Sequence, residues 1–190
     1  MKYRKLVENA KKPNGFWGKM MIKAMNKGHS SLTSWGLEHM NIGCGGGKTV
    51  DRLCSIVANG KVFGIDYSEL SVKSSEKLNS KNILCNKAKI LQASVSDMPF
   101  DDNTFDNITA VETYYFWPDK ENDVKEVFRV LKQGGTVMLL FEMLRTDDDP
   151  FKWDKVENML NIKSVTPQEI RAVLESAGFE NINTYTKEGT

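Results

Sequence analysis

Three groups of residues in this chain have types and spacings suited to chemistry. They are the glycine cluster Gly43-Cys44-Gly45-Gly46-Gly47, the acid Asp66 that stands 21 residues after Gly45, and the run Glu112-Thr113-Tyr114-Tyr115-Phe116-Trp117. Glycines at 43, 45 and 47 remove Cβ atoms where a backbone turns sharply and approaches a ligand, and a helix starting just after them presents unpaired amides to a polar group. Asp66, with Tyr67 beside it, can accept hydrogen bonds from both hydroxyls of a ribose. Its alternative is a cap or dipole partner for a helix beginning near Ser68. Aromatic side chains at a strand end can surround a cation and shape an apolar pocket, or can simply be core. The glycines and the acid together point to a polar, nucleotide-like ligand.

Three loop patterns compete for the glycine cluster. A dinucleotide fingerprint needs glycine at 43, 45 and 48, and position 48 is Lys48. A phosphate-binding loop ending in Gly47-Lys48-Thr49 needs glycine at 42, where Ile42 stands, so it is one residue out of register. A G-x-G-x-G loop is satisfied by Gly43, Gly45 and Gly47, and the spacing supports it better than either rival. The three cysteines Cys44, Cys54 and Cys85 follow no metal spacing, and with only His29 and His39 available no zinc set assembles. No metal site and no catalytic triad is expected.

The elements that must position these residues alternate along the chain. Phe16, Trp17, Met20, Met21, Ala24 and Met25 recur at helical spacing with Lys19, Lys23 and Lys27 between them, which predicts an amphipathic helix serving as a core cap or a lid. A short stretch, Trp35 to Met40, leads into the glycines, and Val50, Leu53, Cys54 and Val57 mark the helix after them. Strands are expected at Lys61 to Asp66, Lys89 to Ala93, Phe105 to Val111 and Thr136 to Glu142. Helices are expected from Ser68 to about Asn79, over Val124 to Leu131 up to the turn Gly134-Gly135, and from the cap Thr166-Pro167-Gln168-Glu169 to Gly178. Strands and helices in this alternation demand a mostly parallel sheet covered on both faces, a doubly wound α/β fold. Residues 1–34 read as an N-terminal helix or lid and 35–190 as the α/β domain.

Asn41-Ile42-Gly43-Cys44-Gly45-Gly46-Gly47 closely resembles the first motif of the class I S-adenosylmethionine-dependent methyltransferases. Ala93 to Asp106 resembles their adenine-reading segment between strands three and four, and Leu131-Lys132-Gln133-Gly134-Gly135 their turn before strand five. The resemblance covers roughly residues 35–180. It implies the Rossmann-like methyltransferase fold, S-adenosyl-L-methionine as cofactor and a small molecule as acceptor. It also implies a cofactor set of Asn41, Gly43, Cys44, Gly45, Gly47, Asp66, Tyr67, Ser94, Val95 and Glu112. Ser94 stands where the family has an acid facing the adenine amino group, with Asp97 as a substitute, and Val95 where a backbone amide meets the ring. Glu112 falls beside the transferring methyl and is the candidate base, with His29 a second one. Helix capping by Glu112 and a loop hydrogen bond by His29 are the alternatives.

Besides Ser94, the chain departs from that family at three places. Asn41 replaces an acid that helps hold the methionine amino group. Trp35 to Met40 is shorter and more mixed than the usual first strand, and Phe179 to Thr186 leaves room for one C-terminal strand where the family has two. Besides methyl transfer, two readings stay open: a degenerate domain that binds the cofactor without turnover, and a nucleotide hydrolase using Lys48 and Thr49.

Composition bounds the rest. With 190 residues, 40% hydrophobic and 27% charged, the chain can bury one core and is an ordinary folded protein. Nothing at the N-terminus resembles a signal peptide, and the longest clean apolar run is Thr136 to Phe141, so no membrane span and a cytoplasmic location are expected. Net charge is +1, yet residues 1–27 hold eight Lys/Arg against the single acid Glu8. A basic face on an amphipathic helix is ordinarily solvated, so nucleic-acid binding is not inferred. Oligomeric state is not readable.

Overall fold

The glycine loop leads into helix α1 (Lys48–Ile56), whose Val50 and Leu53 are fully buried. Strand β1 (Val62–Asp66) follows and pairs in parallel with β2 (Ala88–Gln92), in register from Val62 opposite Ala88 to Asp66 opposite Gln92. Helix α2 (Glu69–Leu78), capped by the Ser68 side chain accepting from the Ser71 amide, and the short α3 (Ser80–Leu84) return the chain between them. A second parallel pair joins β3 (Phe105–Val111) to β4 (Leu131–Leu140) across helix α4 (Lys120–Val130). Helices α5 (Asp154–Leu160) and α6 (Pro167–Ala177) complete the order. The structure, a computed structural model, describes residues 13–15, 18–20, 22, 44–57, 60–146 and 151–186.

This is the expected α/β fold with parallel strands and intervening helices. Among the described residues the four strands form two parallel pairs, and the expected first strand, 35–40, lies outside those residues. The pairs are linked by an aromatic triad: Phe63 of β1, Phe100 of the β2–β3 loop and Phe105 of β3 meet edge to face with centroids 4.8–5.6 Å apart. One apolar cluster joins Val50, Leu53, Val62, Val72, Ala88 and Ile90, and another joins Tyr114, Val124, Val165, Ile170 and Leu174. Gly64 is required by the first. A Cβ there would lie 2.9–3.0 Å from Val50, Cys44 and Ile90, so only glycine lets α1 and its loop sit down on β1.

Several expectations need correction. The Gly134-Gly135 turn lies inside β4, which starts at Leu131 rather than Thr136. Phe105 opposes Leu131 but Asn107 opposes Thr136, so the extra residues bulge out, with Gly134 at φ +76°. Gly135 passes close to the Asp106 carbonyl, where a Cβ would stand 2.9 Å away. Residues 179–186 form no strand, because they dock on helices instead: Phe179 packs on Phe128 at 5.0 Å and Arg171 donates to the Ile182 carbonyl at 2.6 Å. In the N-terminal helix, Gly15, residues 18–20 and Ile22 are helical, and Ile22 is buried whereas Met20 is exposed. Among the described residues no helix is long and apolar enough to cross a membrane.

Candidate active site

The carboxyl ends of β1, β2 and β3, together with the loops that leave them, open on one cavity of about 980 Å³. Cys44, Gly45 and Gly46 line it from the glycine loop, Asp66 and Tyr67 from the end of β1, Ser94 and Val95 from the end of β2, and Glu112 from the end of β3. Of the expected site residues, Gly47 alone among those described is not on the wall, and Asn41, Gly43 and His29 lie outside the described residues. Lys48 and Thr49 also line the cavity, and Pro13 and Ile22 reach it from the N-terminal segment.

The two described positive-φ glycines of the loop do different work. Gly45, at φ +114°, has no atom within 4 Å of where a Cβ would project, so the backbone there is bare. Gly47, at φ +88°, is packed: a Cβ would come within 2.7 Å of Ser75 Oγ and Asn79 Nδ2. Asn79, fully buried, donates to the Gly47 carbonyl at 3.0 Å and to that of Ser75 at 3.0 Å, which pins the loop to α2. The packing job is invisible in the glycine pattern, and Asn79 carries no signal except as the residue ending a helix. Cys44 is half-buried with its Sγ 3.8 Å from Ser75 Oγ, and desolvation reinforced by the Asp66 charge pushes its thiol up to about 12, so it is no nucleophile.

Asp66 ends β1 with its carboxylate accepting from the Ser68 amide at 2.8 Å. The capping alternative is therefore realised in part, since one oxygen serves the turn into α2. Burial pushes the Asp66 carboxyl up to about 6, opposed by the Ser68 amide and then by Ser71. Ser94 accepts from the Ser96 amide at 3.1 Å, holding the start of its loop in a turn. Asp97 is exposed and off the cavity wall, so it does not replace Ser94 as the acid expected there.

Glu112 is buried, only 8% exposed, and sits at φ +54°, a conformation that costs a non-glycine residue free energy and concentrates at functional sites. Its Oε1 accepts from the Glu142 amide and, at 3.5 Å, from the Tyr115 hydroxyl. Tyr115 in turn accepts from the Met143 amide at 2.8 Å, so the segment after β4 grips both side chains. Burial pushes the Glu112 carboxyl up to about 7. The Glu142 amide bond opposes that, the Glu142 charge adds to it, and the Tyr115 bond opposes it last. A carboxyl poised there can take or give a proton at neutral pH. Tyr115, Phe116 and Trp117 line the cavity beside it, whereas Tyr114 is core, packed on Trp117 and Phe141 at 5.1 and 5.6 Å. The aromatic run thus divides between wall and core.

Residues 40–139 match the family model described as a methyltransferase domain. The chain is 32% identical over 154 residues to the ubiquinone/menaquinone biosynthesis C-methyltransferase UbiE of Cronobacter sakazakii, covering 69% of this chain and 61% of that one. It is 28% identical over 158 residues to the sterol 24-C-methyltransferase of Aspergillus fumigatus, covering 76% of this chain and 40% of the other, so it spans less than two thirds of either relative. Among solved structures, a complex between the Haloferax volcanii Trm112 methyltransferase activator and the putative methyltransferase gives a match with a TM-score of 0.71 at 22% identity, covering 83% of this chain and 71% of that one.

Proposed function

This chain belongs to the methyltransferase domain family of class I S-adenosylmethionine-dependent enzymes, and from that premise we propose that it transfers a methyl group from S-adenosylmethionine to an apolar small-molecule acceptor. The observation that carries the reading is the convergence of Gly45, Asp66, Ser94, Val95 and Glu112 on one cavity. A bare glycine backbone and a ribose-competent carboxylate fit an adenosyl group.

S-adenosylmethionine, when bound, supplies a methyl group already activated by positive sulfur. The protein's part is alignment, exclusion of water and removal of a proton. Asp66 accepts the ribose hydroxyls, and Ser94 and Val95 meet the base. Cys44, Gly45 and Gly46 would receive the remainder, Gly47 would hold their loop in shape by its packing on Ser75 and Asn79, and Tyr67 would border the ribose side; Asn41 and Gly43 lie outside the described residues. Glu112 would take the proton that the acceptor loses as its nucleophilic atom bonds to the methyl carbon and the methyl–sulfur bond breaks, that bond's electron pair passing to sulfur to leave S-adenosylhomocysteine. Tyr115, Phe116 and Trp117 on the cavity wall would supply aromatic surroundings for the cationic sulfur and an apolar wall for the acceptor. The sterol and quinone named for the two relatives support an acceptor of that polarity.

Radiolabelled S-adenosylmethionine incubated with sterol and quinol panels tests this. Label is expected in the organic extract, falling on the order of 100-fold in Glu112→Gln if proton removal is required. Cofactor binding without transfer to any acceptor would instead favour a domain that binds and does not turn over.

A further inference from the structure

The loop between β2 and β3, residues 93–104, puts Ser94, Val95, Met98 and Phe100 on the cavity wall although it contains only one isolated bridge, Ser94 with Asp97. Its first residues turn on themselves, and residues 98–104 are held in addition from outside, by the end of α4. Arg129 Nη1 donates to the Phe100 carbonyl at 2.8 Å and to Asp102 at 2.7 Å, and Nη2 donates to the Met98 carbonyl at 3.2 Å. Nε and Nη2 fork onto Glu126 at 2.7 and 2.8 Å, and Glu126 accepts from the Met98 amide at 2.9 Å. The helix backbone adds two more ties, since the Asn103 and Thr104 amides donate to the carbonyls of Arg129 and Val130, each at 2.9 Å.

One guanidinium therefore satisfies two loop carbonyls and two carboxylates, which only a planar fork with five donors can do. Both tied carbonyls belong to residues on the cavity wall. We propose that Arg129, braced by Glu126, is a positioning residue that holds the base-contacting loop in its binding shape. The proposal rests on the cofactor reading above. It makes Arg129 matter to affinity, not only to stability.

The test is calorimetric titration of S-adenosylhomocysteine into the wild type, Arg129→Ala, Arg129→Lys and the core variant Leu174→Ala, each below its own melting transition. Arg129→Ala should bind about tenfold weaker or worse, the scale on which loop misplacement acts. Amide exchange in residues 98–104 should quicken without a change in β1. Arg129→Lys keeps the charge but not the fork and should stay weakened, whereas Leu174→Ala should melt lower and bind normally. Wild-type affinity in Arg129→Ala, or an equal loss in Leu174→Ala, would overturn the clamp while leaving the cofactor reading intact. No binding by the wild type would overturn the cofactor reading, and the clamp with it.

Discussion

Asp66 and Glu112 carry the account at the scale of single residues, and both are carboxyls that burial pushes up, to about 6 and about 7. Accepting two ribose hydroxyls requires the Asp66 carboxylate, so affinity for S-adenosylhomocysteine should weaken as pH falls through about 6. Titrations at pH 7.5 and 5.5 check this, and equal affinity would count against the ribose role. Asp66 was legible in the sequence as an acid ending a short apolar strand, and Glu112 as the acid just after the strand Phe105 to Val111, where the family resemblance points to the transferring methyl. What was not legible is how neighbours divide labour. Gly45 leaves a bare backbone and Gly47 makes room for Ser75 and Asn79. Gly47→Ala should therefore cost ~1–3 kcal/mol in denaturant unfolding, from a left-handed conformation and a packing clash together. Gly45→Ala should bear the conformational cost alone.

At the scale of elements, the segments with chemical punctuation were readable and those without it were not. Helix α6 has a complete capping box between Thr166 and Glu169, proline in its first turn and Gly178 at φ +102° closing it. Thr166→Ala should cost about 1 kcal/mol, measurable as a lowered unfolding midpoint, and an unchanged midpoint would show that the cap adds nothing. Helices α3 and α5 have no buried residue and no side-chain cap, so neither periodicity nor a start signal marks them. The misread segment 179–186 has strand-like residues, and tertiary contacts to Phe128 and Arg171 override that preference.

For the molecule as a whole, the raised carboxyls link stability to pH. An acid whose folded pKa lies above its unfolded value stabilises the fold below the unfolded pKa, and that contribution is lost as pH rises through the folded one. Asp66 and Glu112 place this window between about pH 4 and 7, so the unliganded protein should melt lower at pH 8 than at pH 5.5, and Glu112→Gln should flatten the difference. Carboxylates held below their usual range, such as Glu169 and Glu126, act oppositely and only at lower pH. A melting temperature that rises from pH 5.5 to 8 would contradict the assignment. The parallel α/β plan was legible from the alternation of elements alone. The connections that make a site of it, Arg129 to the β2–β3 loop and Tyr115 to the segment after β4, join residues far apart in sequence and follow no local pattern.

The most direct test of the central claim, that the glycine loop and Asp66 form one adenosyl-binding site, is calorimetric titration of S-adenosylhomocysteine into the wild type beside Asp66→Ala, with melting curves for both. Saturable binding by the wild type, lost in a variant that still melts cooperatively, is the result expected. Equal binding by the two proteins, or a cooperative wild-type melt with no binding, would contradict it.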